Sequence, residues 1–212
     1  MIRNLVFDFG GVVVDINMPK AIAAFDKLGV PNVSQWLNPY HQNGFFLEVE
    51  DGRTDAAGFC QTLSRVCGRE VSMAEAREAW LCIVEEAQPD RLRFLSSLRD
   101  RYHLFLLSNT NPFVMDWARS SAFSADGLPL DAYFDKLFIS YQLQSVKPSA
   151  AFFETLIREA PLRPEESLFV DDGPANIAAA QALGFHTYLV TNGVDWRPGV
   201  QAYLASFSSE AL

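Results

Sequence analysis

Short, almost unbroken apolar runs alternate along this chain with stretches whose apolar residues recur every three to four positions. Ile2 to Phe9 is the first such run. It ends at Asp8-Phe9-Gly10-Gly11, the pattern of a strand buried on both faces and stopped by a flexible turn. The design recurs at His103 to Leu107, which runs into Ser108-Asn109, and at Leu137 to Ile139. It appears again at Leu168 to Val170, which runs into Asp171-Asp172-Gly173, and at Thr187 to Val190. Between these runs lie helical patterns at Pro89 to Leu98, Pro112 to Ala122, Ala150 to Ala160 and Pro174 to Leu183, the last followed by Gly184 as a stop. Strands alternating with helices predict an α/β fold, a doubly wound parallel sheet.

Residues 16–88 break the alternation. They show three or four helical segments and no convincing strand. Asn17-Met18-Pro19 opens a helix that Gly29 closes. Asp55 to Cys67 forms another, with Phe59, Leu63, Val66 and Cys67 in helical register, and Ser72-Met73-Ala74-Glu75 is a capping box. The expected organisation is a core of residues 1–15 plus 89–212, with residues 16–88 as a small helical cap inserted after the first strand. The stretch His41 to Glu48 reads as loop-like and is followed by Glu50-Asp51-Gly52-Arg53-Thr54; together they read either as a substrate-specificity surface or as cap packing plus a solvated turn.

At 212 residues the chain has room for one substantial core and an appendage, and its 49% hydrophobic content is that of a globular protein. The net charge of -9 and the absence of a basic run argue against a nucleic-acid partner. An acidic protein that takes a phosphate substrate needs a local cation at the site. Cys60, Cys67 and Cys82 are odd in number and lie in apolar helical patterns, so reduced thiols are expected. With no long apolar segment, no membrane association is expected, and reduced thiols suit a cytoplasmic location; the oligomeric state is left open between monomer and homodimer.

In an open parallel sheet, ligands bind beyond the carboxyl ends of the strands. Asp8, Ser108-Asn109, Lys147-Pro148 and Asp171-Asp172 all fall at or beside such ends. Each alone is more often a turn or a cap. Together they suit attack by a carboxylate on a phosphate: the phosphate, Asp8, Asp171 and Asp172 sum to about -5, against about +1 from Lys147. A divalent cation closes that gap. Mg²⁺ takes hard oxygen ligands such as Asp8, Asp172 and a backbone carbonyl. The Gly10-Gly11 turn, the Ser108 hydroxyl and amides near Thr110 and Pro174 are candidate phosphate donors.

This arrangement resembles the haloacid dehalogenase superfamily in four ordered motifs: LVFDFGGVVVD, LLSNT, VKP and VDDGPANI. The resemblance implies a Rossmann-like core with a helical cap that chooses the substrate. It implies that Asp8 is the nucleophile and a metal ligand, and that Lys147 neutralises the nucleophile and phosphate. The phosphate would be held by Gly11, Ser108, Asn109 and Lys147. Mg²⁺ would be held by Asp8, the Gly10 carbonyl, Asp172 and, directly or through water, Asp171, with Asn176 as a supporting partner. One position departs from the family: Gly10 stands where many members carry a second Asp that serves as general acid and base. The FDFGGV form is similar to a subgroup that includes glucose-1-phosphate phosphatases.

The expected activity is Mg²⁺-dependent hydrolysis of a small phosphorylated metabolite, plausibly a sugar phosphate, through an aspartyl-phosphate. A metal-independent 2-haloacid dehalogenase and a non-catalytic phosphate-binding regulator are the alternatives. Asp15 reads as a hinge residue or a substitute acid. His41 and Glu48 stand evenly between substrate contact and cap surface, while Phe45, Phe46, Trp36 and Trp80 read mainly as packing. His103 and His186 begin apolar strands and read as structural.

Overall fold

The apolar runs form one parallel sheet: β1 (Asn4–Phe7), β2 (His103–Ser108), β3 (Lys136–Ile139), β4 (Ser167–Asp171) and β5 (His186–Leu189). A computed structural model describes residues 1–38 and 42–209, and in it the strand order is β3-β2-β1-β4-β5. Each strand lies within about two residues of its apolar run. β1 is shorter than the run Ile2 to Phe9, although flanking bonds from Arg3 N to Glu166 O and from Asp8 N to Val170 O continue the ladder at 2.8 and 2.9 Å.

Burial on both faces explains the unbroken apolar character of the strands. Leu5, Phe7, Leu104, Leu106, Leu168 and Val170 belong to one buried cluster. Their alternates Val6, Phe105, Leu107 and Phe169 belong to a second, on the opposite face.

The helices are α1 (Met18–Leu28), α2 (Gly44–Glu50), α3 (Ala56–Cys67), α4 (Met73–Leu81), α5 (Pro89–Leu98), α6 (Pro112–Ala118), α7 (Ser140–Leu143), α8 (Ala150–Glu159), α9 (Pro174–Ala182) and α10 (Arg197–Ser209). The helix starts follow their caps: Asn17 accepts from Lys20 N, Asp55 accepts from Gly58 N, and Ser72 and Glu75 complete the capping box. α6 stops at Ala118, short of the expected Ala122. There the Ser120 hydroxyl donates to the Trp117 carbonyl and its oxygen accepts from Ala122 N, a local alternative to further helix.

α1 to α4 lie between β1 and β2. Their interior is an aromatic cluster in which Phe25 and Phe46 meet edge-on at 4.8 Å and Phe25 and Trp80 at 5.3 Å. Phe59 reaches Phe113 of α6 at 5.6 Å, so this packing is continuous with the core over the sheet. Trp80 is fully buried within it.

Two expectations are corrected here. The stretch read as a loop contains α2, because Phe45, Phe46 and Val49 are all buried against the aromatic cluster; tertiary burial supports a seven-residue helix that propensity alone would not. Glu50, read as part of a solvated turn, is its last residue and is 7% exposed. His41 lies outside the described residues.

Cys60, Cys67 and Cys82 are free thiols. Among the described residues, no helix is long and apolar enough to cross a membrane.

Candidate active site

β1 is central, and the first residue beyond it is Asp8. Its amide is fixed to Val170 of the neighbouring β4, so the side chain emerges at the carboxyl edge of the sheet. On that side β4 ends at Asp171, followed by Asp172; on the other side β2 ends at Ser108, followed by Asn109. The strand register therefore gathers residues separated by more than 150 positions. Oxygen atoms of Asp8, Asp171 and Asp172 lie within 4.8 Å of one another.

Lys147 enters from the segment after α7 and is 1% exposed. Its ammonium stands 2.8 Å from Asp8 Oδ1 and 2.7 Å from Asp171 Oδ2. Burying a charge costs several kcal/mol unless it is paired, and here two carboxylates pair with it. A lysine ammonium has three N–H donors, so one remains for a ligand. Burial alone would lower the Lys147 pKa, but Asp171 and Asp8 override it and hold the group above its ordinary value.

The second oxygen of Asp171 is also engaged, accepting from Gly173 N at 2.7 Å and from Asn176 Nδ2 at 2.9 Å. Asp171 thus anchors both Lys147 and the start of α9. Asp172 faces the crevice with its carboxylate, and room for it comes from Gly11. That residue has φ +76°, and a Cβ there would lie 2.3 Å from Asp172 Oδ2.

The phosphate-donor set differs from expectation in its details. The Gly11 amide donates to Val14 O at 2.8 Å, and the Thr110 amide to Ser140 Oγ at 3.0 Å. Asn109 uses both ends of its side-chain amide on the backbone of Lys147, at 2.7 and 2.9 Å. Ser108 is buried, with its hydroxyl 3.4 Å from the Asn109 carbonyl. Second-motif residues therefore shape and hold the site.

Three carboxylates share one lysine. Burial raises the Asp8 pKa well above the usual carboxylate value, with Lys147 opposing the shift and Asp171 and Asp172 adding to it. Burial and Asp171 push Asp172 up to about 6. The cluster is thus short of positive charge, and its hard oxygen donors fit a divalent cation such as Mg²⁺.

On its far side the crevice over these groups meets described residues of the segment between β1 and β2. Met18, Gln42, Leu47, Glu50 and Ile83 line it together with Asp8, Gly10, Asn109, Lys147, Asp172 and Asn176. Glu50 is the member that the sequence pattern hid. Its charged neighbours Asp51 and Arg53 made it look like a turn residue. The available signal was its position four after Phe46, on the buried stripe of a helix.

Other candidates lie elsewhere. Asp15 Oδ1 accepts from Arg91 at 2.9 Å and from Gly193 N at 3.2 Å. Glu48 is half exposed and lies 3.9 Å from Arg53, and Trp36 packs on Phe45 with its indole N–H on Pro31 O. His103 lies 3.5 Å from Asp135, and the His186 ring lies 3.2 Å from Glu165 O.

The comparisons with known proteins point the same way. Residues 2–184 match the model of the haloacid dehalogenase-like hydrolase family. A D-ribitol-5-phosphate phosphatase of Bacteroides thetaiotaomicron is 48% identical over 206 residues, covering 97% of this chain and 100% of that protein. A protein described as a predicted HAD-like family hydrolase from Porphyromonas gingivalis superposes with a TM-score of 0.92 at 43% identity, covering 96% of this chain and 98% of that one. A HAD family enzyme of Bacteroides thetaiotaomicron, crystallised with magnesium and inorganic phosphate, gives a TM-score of 0.85 at 32% identity, with coverages of 92% and 98%.

Proposed function

We propose, from the premise that this chain belongs to the haloacid dehalogenase-like hydrolase family, that it is a magnesium-dependent phosphatase of a small polyol or sugar phosphate, working through an aspartyl-phosphate on Asp8. The observation that carries this reading is the buried contact of Lys147 with Asp8 and Asp171 beside the open carboxylate of Asp172. An ammonium pinned against Asp8 opposes the rise in its pKa that burial causes, and its remaining N–H offers a hydrogen bond to a phosphate oxygen.

Asp8, Asp172 and the Gly10 carbonyl would hold Mg²⁺, with Asp171 reaching it through water because both of its oxygens are engaged. The bound ion offsets the charge of the phosphate and the nucleophile. Asp8 supplies the attacking oxygen, and Lys147 balances the charge that accumulates during transfer. Residues 1–15 and 89–212 act as the catalytic core, and residues 16–88 as a cap that covers the crevice and meets the leaving group. Because a relative is a D-ribitol-5-phosphate phosphatase, an open-chain polyol phosphate is the first substrate to try.

The test is phosphate release by the purified protein from D-ribitol 5-phosphate, glucose 1-phosphate and related esters, with Mg²⁺ and with EDTA. Release that requires Mg²⁺ is expected. Undiminished release in EDTA, no release from any ester, or metal-free chloride release from a 2-haloacid would each overturn the proposal.

A further inference from the structure

Gly10 has no side chain with which to protonate a departing oxygen. Loss of a polyol phosphate ester leaves a primary alkoxide, a poor leaving group unless it gains a proton as the bond to phosphorus breaks. If the substrate is of the class proposed above, on which this inference rests, another group has to supply that proton.

Among the described residues lining the crevice, the ionisable side chains are Asp8, Glu50, Lys147 and Asp172. Asp8 is the nucleophile, Lys147 is pinned between two carboxylates, and Asp172 faces the cation site. Asp15, the other acid suggested by sequence, is bound to Arg91 and the Gly193 amide. Glu50 remains. It is more than nine-tenths buried, and no hydrogen bond or ion pair joins its carboxyl to another of the described residues. Its carboxyl oxygens open onto the crevice rather than being sealed in the core: among the described residues only Trp80 Nε1 is a fully buried side-chain polar atom without a partner.

Its placement is built rather than incidental. Phe45, Phe46 and Val49 fix the inner face of α2 in the aromatic cluster. Immediately after the helix, Gly52 (φ +75°) lies so close to α7 that a Cβ there would be 2.3 Å from the Tyr141 carbonyl. Arg53 donates to both oxygens of Asp51 from its backbone and side chain, closing the turn between them. α2 is thus seated on the core at the end that carries Glu50.

We propose that Glu50 is the general acid and base of this enzyme, standing in from the cap for the carboxyl missing at Gly10. In the first step Asp8 Oδ bonds to phosphorus and the ester P–O bond breaks; its electron pair stays on the leaving oxygen, which takes the Glu50 proton. In the second step the Glu50 carboxylate takes a proton from water as the water oxygen bonds to phosphorus and the Asp8–phosphorus bond breaks. Inorganic phosphate leaves with Asp8 and protonated Glu50 restored. Burial, reinforced by Asp51 and Asp8, pushes the Glu50 carboxyl up to about 8, the direction a general acid requires.

The experiment compares wild type, Glu50→Gln and Glu50→Asp on D-ribitol 5-phosphate and on 4-nitrophenyl phosphate, whose phenolate departs without a proton. In a single-turnover measurement of the first step with excess enzyme, Glu50→Gln is expected to lose ~10²–10⁴ in rate on the polyol ester and less than ~10-fold on the aryl ester. The aryl rate also reports that the site is folded. Equal losses on both esters, or no loss on either, overturn the inference. Should Glu50→Gln not fold, the same contrast is read from Glu50→Asp, whose shorter side chain retreats from the leaving group. A wild type that hydrolyses neither ester would instead refute the phosphatase reading itself.

Discussion

Asn109 grips the backbone of Lys147 at both ends of its amide: the Lys147 N–H donates to Oδ1 at 2.7 Å, and Nδ2 donates to the Lys147 carbonyl at 2.9 Å. Lys147 is therefore held by its main chain as well as by the acids at its tip. Asn109→Ala leaves both backbone groups without these partners and is expected to cost about 1–3 kcal/mol in stability. A loosened lysine should also lower kcat, since a misplacement of about 1 Å can cost ~10² in rate. Denaturant titration and steady-state kinetics check both effects. Unchanged kcat would mean that Asp8 and Asp171 position the ammonium unaided.

Gly11→Ala places a methyl group where Asp172 Oδ2 now stands, at a backbone angle that L side chains resist. Asp172 must move, and perturbing the support of a metal ligand typically costs ~10–100-fold in metal affinity. Titration of activity with Mg²⁺, alongside calorimetry of Mg²⁺ binding, should show half-saturation displaced to higher concentration. An unchanged curve would separate Asp172 from the metal site.

Asp8→Asn keeps the shape of the proposed nucleophile and removes its charge, so measurable turnover should vanish. Because burial raises the Asp8 pKa in the folded state, its ionised form is less stable there than in the unfolded chain. The metal-free variant is therefore expected to melt at or above the wild-type temperature near neutral pH. A lower melting temperature would show that the Lys147 contact outweighs the burial of the charge.

Glu50 makes a signed pH prediction for the metal-free protein. Its carboxyl titrates near 4.5 when unfolded and at about 8 when folded, so between these values the folded state binds the extra proton and stability falls as pH rises. Glu50→Gln removes that dependence. The stability of the variant relative to wild type should therefore grow from about pH 4.5 to about pH 8 and level off above it. Urea unfolding across that range measures the difference; a flat difference would mean that Glu50 titrates normally.

Trp80 fills the aromatic cluster, yet its indole N–H has no partner among the described residues. Trp80→Ala is expected to cost about 3–5 kcal/mol through lost burial and a cavity. Trp80→Phe also loses volume but removes the unpartnered donor, so it should cost far less. Similar losses in both variants would show that shape alone sets the contribution of this residue.

The apolar runs of this chain were enough to determine its parallel sheet, since a strand buried on both faces must be apolar throughout and the turn chemistry after each run marks its carboxyl end. That same rule identified Asp8, Asp171 and Asp172 as neighbours in space, because central strands of a parallel sheet deliver their ends to one edge. Helix caps at Asn17, Asp55 and Ser72 were likewise local, and so legible. What the tertiary structure decided was the use of each polar group. Asn109 and the Gly11 amide have chemistry suited to phosphate, but whether a donor is free depends on what lies opposite it, and here Lys147 and Val14 do. Glu50 was the largest omission. A glutamate beside Asp51, Gly52 and Arg53 has the composition of an exposed turn, and only the packing of Phe45, Phe46 and Val49 against residues far away in sequence makes α2 a helix and turns that carboxyl into the crevice.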